Sequence, residues 1–227
     1  MDIVWDSEGG VRTGFRPEEH GFRFANRFAW PGVGRAWVLA GATLRHVGIN
    51  TTVLGLCGGM CLTALDLYYA GRAVPDGAAP PAPGSALFRY LVRRQIDSYA
   101  GLRVPARVLT WMWRRDARLD RYSVAEFLHL RAQLNGGTPT PLVPVRARGI
   151  SDPTVNHQVL AVGYAWEPLT RRATIHLYDP NHPLMEPTLS FTVVPGERIM
   201  ALRQSTGETV RGFFLGRYRH RRAHLPA

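Results

Sequence analysis

The sequence predicts an α+β fold, with a helical first half packed on a C-terminal antiparallel β-sheet. Helical periodicity dominates from Cys57 to Gly137, short β-rich runs replace it afterwards, and a polar WEPLTRR segment at 166–172 joins two of those runs as a hairpin. Helices first and strands later argue against a doubly wound α/β arrangement. At 227 residues with 45% hydrophobic content, the chain can bury one sizeable core, and one domain over 1–227 is expected.

Before Leu54 the chain is rich in Gly, Arg and aromatics without sustained periodicity, apart from a possible strand at 36–39. Residues 1–48 are thus left open between covering a cleft and packing on the sheet. From Cys57, the residues Cys57, Cys61, Ala64, Leu65 and Tyr68 recur at spacings of three and four, and Gly71 offers a C-cap. Cys57 then stands at a helix N-terminus, with Cys61 one turn on, facing the core. The proline- and alanine-rich stretch 74–83 reads as a surface loop.

A second helix is expected over 85–99, with Phe88, Leu91, Val92, Gln95, Ile96 and Tyr99 on one stripe. A third is expected to open at Ser123 with Glu126 as a capping box and to close at Asn135, Gly136 and Gly137. The β-rich runs are 142–145, 158–165, 174–178, 188–193 and 212–215.

All 28 basic residues are arginine and the formal charge is +11, a bias that genome base composition produces readily. The arginines are scattered, so nucleic acid is not expected as a partner; the densest cluster falls in a basic tail at 217–227, expected to be a solvated end. No run of about eighteen uncharged apolar residues occurs, so no membrane span is expected. The first residues have neither the basic nor the apolar region of a secretion signal. The two cysteines lie one helical turn apart, a poor disulfide pair, which favours a reducing, cytoplasmic setting.

Chemistry concentrates at three places. Helix N-termini stabilise a thiolate through unpaired N–H groups and the dipole, and the glycines after Cys57 leave its sulfur open to a substrate carbonyl. His157 immediately precedes the apolar strand 159–164. Asp179 ends the next strand, where a Pro-bounded turn begins. If those strands pair, their outer ends adjoin, and Asp179 can fix the His157 tautomer that activates Cys57.

Other sites read less well. Cys57, Cys61, His157 and His182 lack the paired spacing of a zinc site, so no metal is expected. No Gly-rich strand-to-helix loop suggests a nucleotide, and no cofactor is expected. Asp66, Tyr68, Tyr69, Arg93 and Arg94 fit either a cleft or solvated helix faces. Trp111, Met112 and Trp113, flanked by Arg114 and Arg115, read as a buried edge with a charged flank.

The motifs CGGMC at 57–61, NHQVLAVGY at 156–164 and LYDP at 177–180 together resemble the papain-like cysteine peptidases of the C39-like branch. The resemblance spans roughly residues 49–193. It implies Cys57 as nucleophile, His157 as general base and Asp179 as the orienting group, acting on a peptide or protein substrate by cleavage of a peptide or isopeptide bond. Acyl transfer through the same thioester, or a catalytically inactive peptide-binding module, are the alternatives. Such enzymes place an oxyanion-binding glutamine where this chain has Thr51. Asn50 is the nearest side-chain amide and is taken as the second oxyanion donor beside the Cys57 N–H, with Thr51 or Thr52 as weaker substitutes.

Overall fold

A computed structural model of the chain describes residues 9–28 and 55–221. It is α+β. The helices are α1 (Pro17–His20), α2 (Cys57–Tyr69), α3 (Ala86–Ser98), α4 (Arg103–Met112) and α5 (Asp116–Asn135). The strands are β1 (Gly9–Arg12), β2 (Thr140–Val145), β3 (Val159–Glu167), β4 (Arg172–Tyr178), β5 (Thr188–Val194), β6 (Arg198–Gln204) and β7 (Gly212–Leu215). The strand order is β6-β5-β4-β3-β2-β7, with β1 added beside β3, and every pairing is antiparallel. Among the described residues no helix is long and apolar enough to cross a membrane.

Alternation along β3 explains why it is buried on both faces. Leu160 and Val162 join Phe15, Met60, Leu65 and Leu91 beneath α2 and α3. Val159 and Ala161 join Phe127, Leu130 and Leu134 of α5 on the opposite face. A bulge between Ala161 and Gly163 then shifts the parity, so that Tyr164 and Trp166 also reach the α5 side. Gly163 is needed there: a Cβ would lie 2.6 Å from the Val11 carbonyl oxygen of β1. A third cluster seats Val104, Val108 and Trp111 of α4 on Val143, Val145 and Phe214.

The helix starting at Cys57, the helix capped by Ser85, and five of the strands lie where expected. Ser85 Oγ accepts from the Phe88 N–H, a direct N-cap. The N-terminal segment packs: β1 pairs with β3, and Phe15, Phe22, Phe24 and Phe28 enter the core. The possible strand at 36–39 lies outside the described residues.

Several expectations are corrected. Ser123 opens no helix; it sits buried within α5, where its Oγ accepts from the Phe213 N–H, while Glu126 accepts from the Leu215 N–H. Those bonds fasten β7 to α5 in place of a capping box. Ile96 is exposed, and Arg94 of the same helix is buried instead. Asp66 and Arg94 form no solvated face: they make a buried ion pair, in which Nη2 donates to Oδ1 at 3.2 Å and Nε lies 2.8 Å from Oδ2.

That pair also anchors the described part of the basic tail, which is therefore not a free solvated end. Tyr218 Oη and the Arg221 N–H donate to Asp66 Oδ1 at 2.9 and 3.0 Å, and Arg221 reaches Asp97. Burial, and next the Asp66 charge, push the Tyr218 phenol far above its ordinary range, keeping it a donor.

Arg94→Met should destabilise the protein by about 3–5 kcal/mol in urea unfolding, because it strands a buried carboxylate. Pairing it with Asp66→Asn should recover part of that loss.

Candidate active site

The end of the sheet at which β3 starts and β4 finishes collects the polar chemistry. Leu160 pairs with Tyr178, so His157, just before β3, and Asp179, just after β4, project from adjacent strand ends. His157 Nε2 and Asp179 Oδ1 are 2.6 Å apart, with both side chains buried. His157 also donates its backbone N–H to the Pro144 carbonyl, fixing the strand entry.

Cys57 begins α2 and is half-buried. With Nε2 occupied by Asp179, Nδ1 is the ring nitrogen left for Cys57, and the two groups are close enough for each charge to act on the other's ionisation. The structure thus brings together the three residues singled out in the sequence. Asn50, Thr51 and Thr52 lie outside the described residues.

The helix start is built by long-range contacts. Leu56, its N-cap, has no side-chain cap of its own; its N–H donates to Asn26 Oδ1 at 2.5 Å. Asn26 Nδ2 donates to Asn181 Oδ1, and the Asn181 N–H donates to Asp179 Oδ1 at 2.9 Å. One chain of amides therefore ties the start of α2 to the carboxylate. On the other side, the Gly59 N–H donates to Gln95 Oε1 at 2.8 Å.

The glycines after Cys57 have a packing reason. A Cβ on Gly59 would stand 2.2 Å from the Leu91 carbonyl oxygen, and one on Gly58 would stand 2.3 Å from Ser98 Oγ and 2.6 Å from Gln158 Oε1. Close approach of α3 to the first turn of α2 is what requires them.

Charge distribution favours an ion pair. Burial opposes ionisation of Cys57, but the His157 charge, followed by the Gln158 and Gly58 backbone N–H groups, outweighs it and lowers the thiol pKa. Burial also opposes the imidazolium, yet the Asp179 charge, followed by that of Cys57, raises His157 to about 10. Asp179 is held below its ordinary range: desolvation works against it, and His157 and the Asn181 N–H overcome that.

Cys61 differs sharply. Burial, then the Cys57 and Asp179 charges, raise its thiol well above the ordinary value, and its Sγ–H faces the Gln158 carbonyl. It is packing, as its spacing suggests. The imagined zinc set of Cys57, Cys61, His157 and His182 is dispersed over different partners. His182 Nε2 meets Glu208 Oε1 at 2.7 Å. Asp179, His182 and Glu208 do converge within 4.8 Å, but Asp179 already accepts from His157 and Gln204, and His182 is engaged with Glu208.

Sequence reasoning missed Asn26, Gln95, Asn181 and Gln204. Only Asn181, two residues past Asp179 in a Pro-bounded turn, carried a local signal, that of an Asx turn. The chain matches no protein-family model, no curated protein and no solved structure.

Alkylation by iodoacetamide should modify Cys57 and spare Cys61. The rate should rise with pH through a midpoint below the ordinary thiol value of about 8.5 and then stay level. In His157→Gln the midpoint should move up, since burial is then opposed only by the Gln158 and Gly58 backbone N–H groups; peptide mapping after pulses at each pH reads both.

Proposed function

We propose that the chain is a papain-like thiol hydrolase that cleaves a peptide or isopeptide bond. The observation that carries this reading is the buried 2.6 Å His157–Asp179 pair beside a thiol whose pKa is lowered at the start of α2. A structural histidine needs no buried carboxylate on one ring nitrogen and a thiol on the other, whereas a nucleophile–base–orienter relay needs both.

In the resting site Cys57 is a thiolate and His157 an imidazolium. The sulfur attacks the substrate carbonyl, forming a C–S bond and moving the carbonyl π electrons onto oxygen. The Cys57 N–H, at the first turn of α2, donates to that oxyanion, and Asn50 remains the proposed second donor. Collapse of the intermediate expels the amine, which takes its proton from His157 Nδ1 and leaves a thioester on Cys57.

The neutral imidazole, still oriented by Asp179, then removes a proton from water. The hydroxide oxygen adds to the thioester carbonyl, the C–S bond breaks, and the carboxylic acid departs as thiolate and imidazolium re-form. An amine acceptor in place of water gives acyl transfer by the same steps.

The test is a stopped-flow assay with peptidyl p-nitrophenyl esters, followed by intact-mass spectrometry. A burst of p-nitrophenolate equal to the enzyme concentration, with the acyl mass localised on Cys57, is expected. Cys57→Ala should abolish both, and Asp179→Ala should lower the acylation rate by at least about 10²-fold. Faster release of the acyl group by an added amine than by water would assign acyl transfer. No burst and no acyl adduct would overturn the enzyme reading and leave a peptide-binding module.

A further inference from the structure

Gln204, the last residue of β6, is buried while most of that edge strand is exposed, with Arg198, Met200, Ala201 and Arg203 open to solvent. A burial pattern without strict alternation gives the strand little packing reason to end on a buried amide. The contacts supply a different reason. Gln204 Nε2 donates to Asp179 Oδ2 at 3.0 Å and to Thr206 Oγ1 at 3.0 Å, and Gln204 Oε1 accepts from Arg146 Nη2 at 3.0 Å.

We propose that Gln204 is a positioning residue of the thiol site, its amide oriented by Arg146 so as to hold the Asp179 carboxylate turned toward His157. The inference rests on the proposed Cys57–His157–Asp179 function and adds a member to it. The amide has one permitted orientation: a guanidinium has only donors, so the amide oxygen must face Arg146, and a carboxylate has only acceptors, so the amide nitrogen must face Asp179. Arg146 is itself placed by the loop that leads to His157, since its backbone N–H donates to Asn156 Oδ1 at 2.8 Å.

Each carboxylate oxygen of Asp179 then has its own donor. Oδ1 accepts from His157 and from the Asn181 N–H, and Oδ2 accepts from Gln204. Without the Gln204 amide, Oδ2 would be a buried, charged acceptor lacking its donor, and the carboxylate would be free to rotate or to take up a proton. The titratable and charged groups around Asp179 are His157, His182, Glu208 and, behind Gln204, Arg146, together with the neutral Cys61 thiol and Tyr178 phenol. Glu208, bonded to Thr206 and His182, is the like charge within 4.8 Å of Asp179.

A less firmly held Asp179 stabilises the imidazolium less, and a weaker imidazolium stabilises the thiolate less. The acid midpoint of Cys57 reactivity therefore moves up and the alkaline limit of His157 moves down. A role in folding alone would alter stability and leave both midpoints in place.

The experiment measures Cys57 alkylation by iodoacetamide against pH in the full chain for wild type, Gln204→Met, Arg146→Met and Thr206→Val, with circular dichroism to establish folding. Gln204→Met should raise the acid midpoint by about one unit, which lowers the rate about tenfold below the midpoint and leaves the plateau unchanged. Arg146→Met, which keeps the amide but frees its orientation, should shift the midpoint the same way by less. Thr206→Val, which removes the amide's other acceptor, should leave it in place. A folded Gln204→Met, or a folded Arg146→Met where the first variant does not fold, with the wild-type midpoint overturns the inference. A wild-type midpoint at an ordinary thiol value overturns the underlying thiolate–imidazolium reading instead.

Discussion

The short contact between His157 Nε2 and Asp179 Oδ1 is the constraint on which the rest of the site depends. It exists because β3 and β4 pair with Leu160 opposite Tyr178, which sets the residue before one strand and the residue after the other side by side. Burying a charged carboxylate and imidazolium together is costly unless they are paired and their remaining polar atoms are hydrogen-bonded. Here the carboxylate accepts from His157, the Asn181 N–H and Gln204, so the cost is met by hydrogen bonds within the turn and from β6. The resulting fixed negative charge holds a proton on His157, and that proton in turn favours the thiolate at Cys57.

The two halves of the fold are joined through this point. Asn26 bridges the Leu56 N–H at the start of α2 to Asn181, next to the Asp179 turn. Gln95 of α3 engages the Gly59 N–H, and Gln158, just before β3, engages Ser98 of α3. The nucleophile's helix is thus registered on the base's strand by amide side chains, while the apolar cluster of Phe15, Met60, Leu65, Leu160 and Val162 supplies the adhesion beneath. Directional bonds set geometry and apolar burial sets stability, with few residues serving both ends.

The parts of this arrangement legible in the sequence were those with a local cause. A helix whose first residue precedes two glycines, a histidine before an apolar run, and an aspartate before a proline each leave a short-range trace, and antiparallel pairing of neighbouring runs follows from their hairpin connection. What could not be read comes from contacts distant in sequence. Gln204 meets Asp179 from two strands away, and Asn26 meets Leu56 across thirty residues. Arg94 defied polarity patterning because its partner Asp66 is buried with it. The strand β6 left no alternating pattern, since Met200 and Ala201 are both exposed and Ala201 has a φ of 55°. The helix α4 was hidden by Pro105, which is tolerated in a first turn, and β1 by its two glycines.

The central claim is that His157 is positively charged in the resting protein, and nitrogen-15 NMR of the uniformly labelled chain tests it most directly. Assigned through His157→Gln, the two ring nitrogens should show the paired shifts of an imidazolium through pH 8 and titrate only near about 10. The shifts of a neutral imidazole at pH 7, with a transition near the ordinary value of about 6.5, would contradict the account.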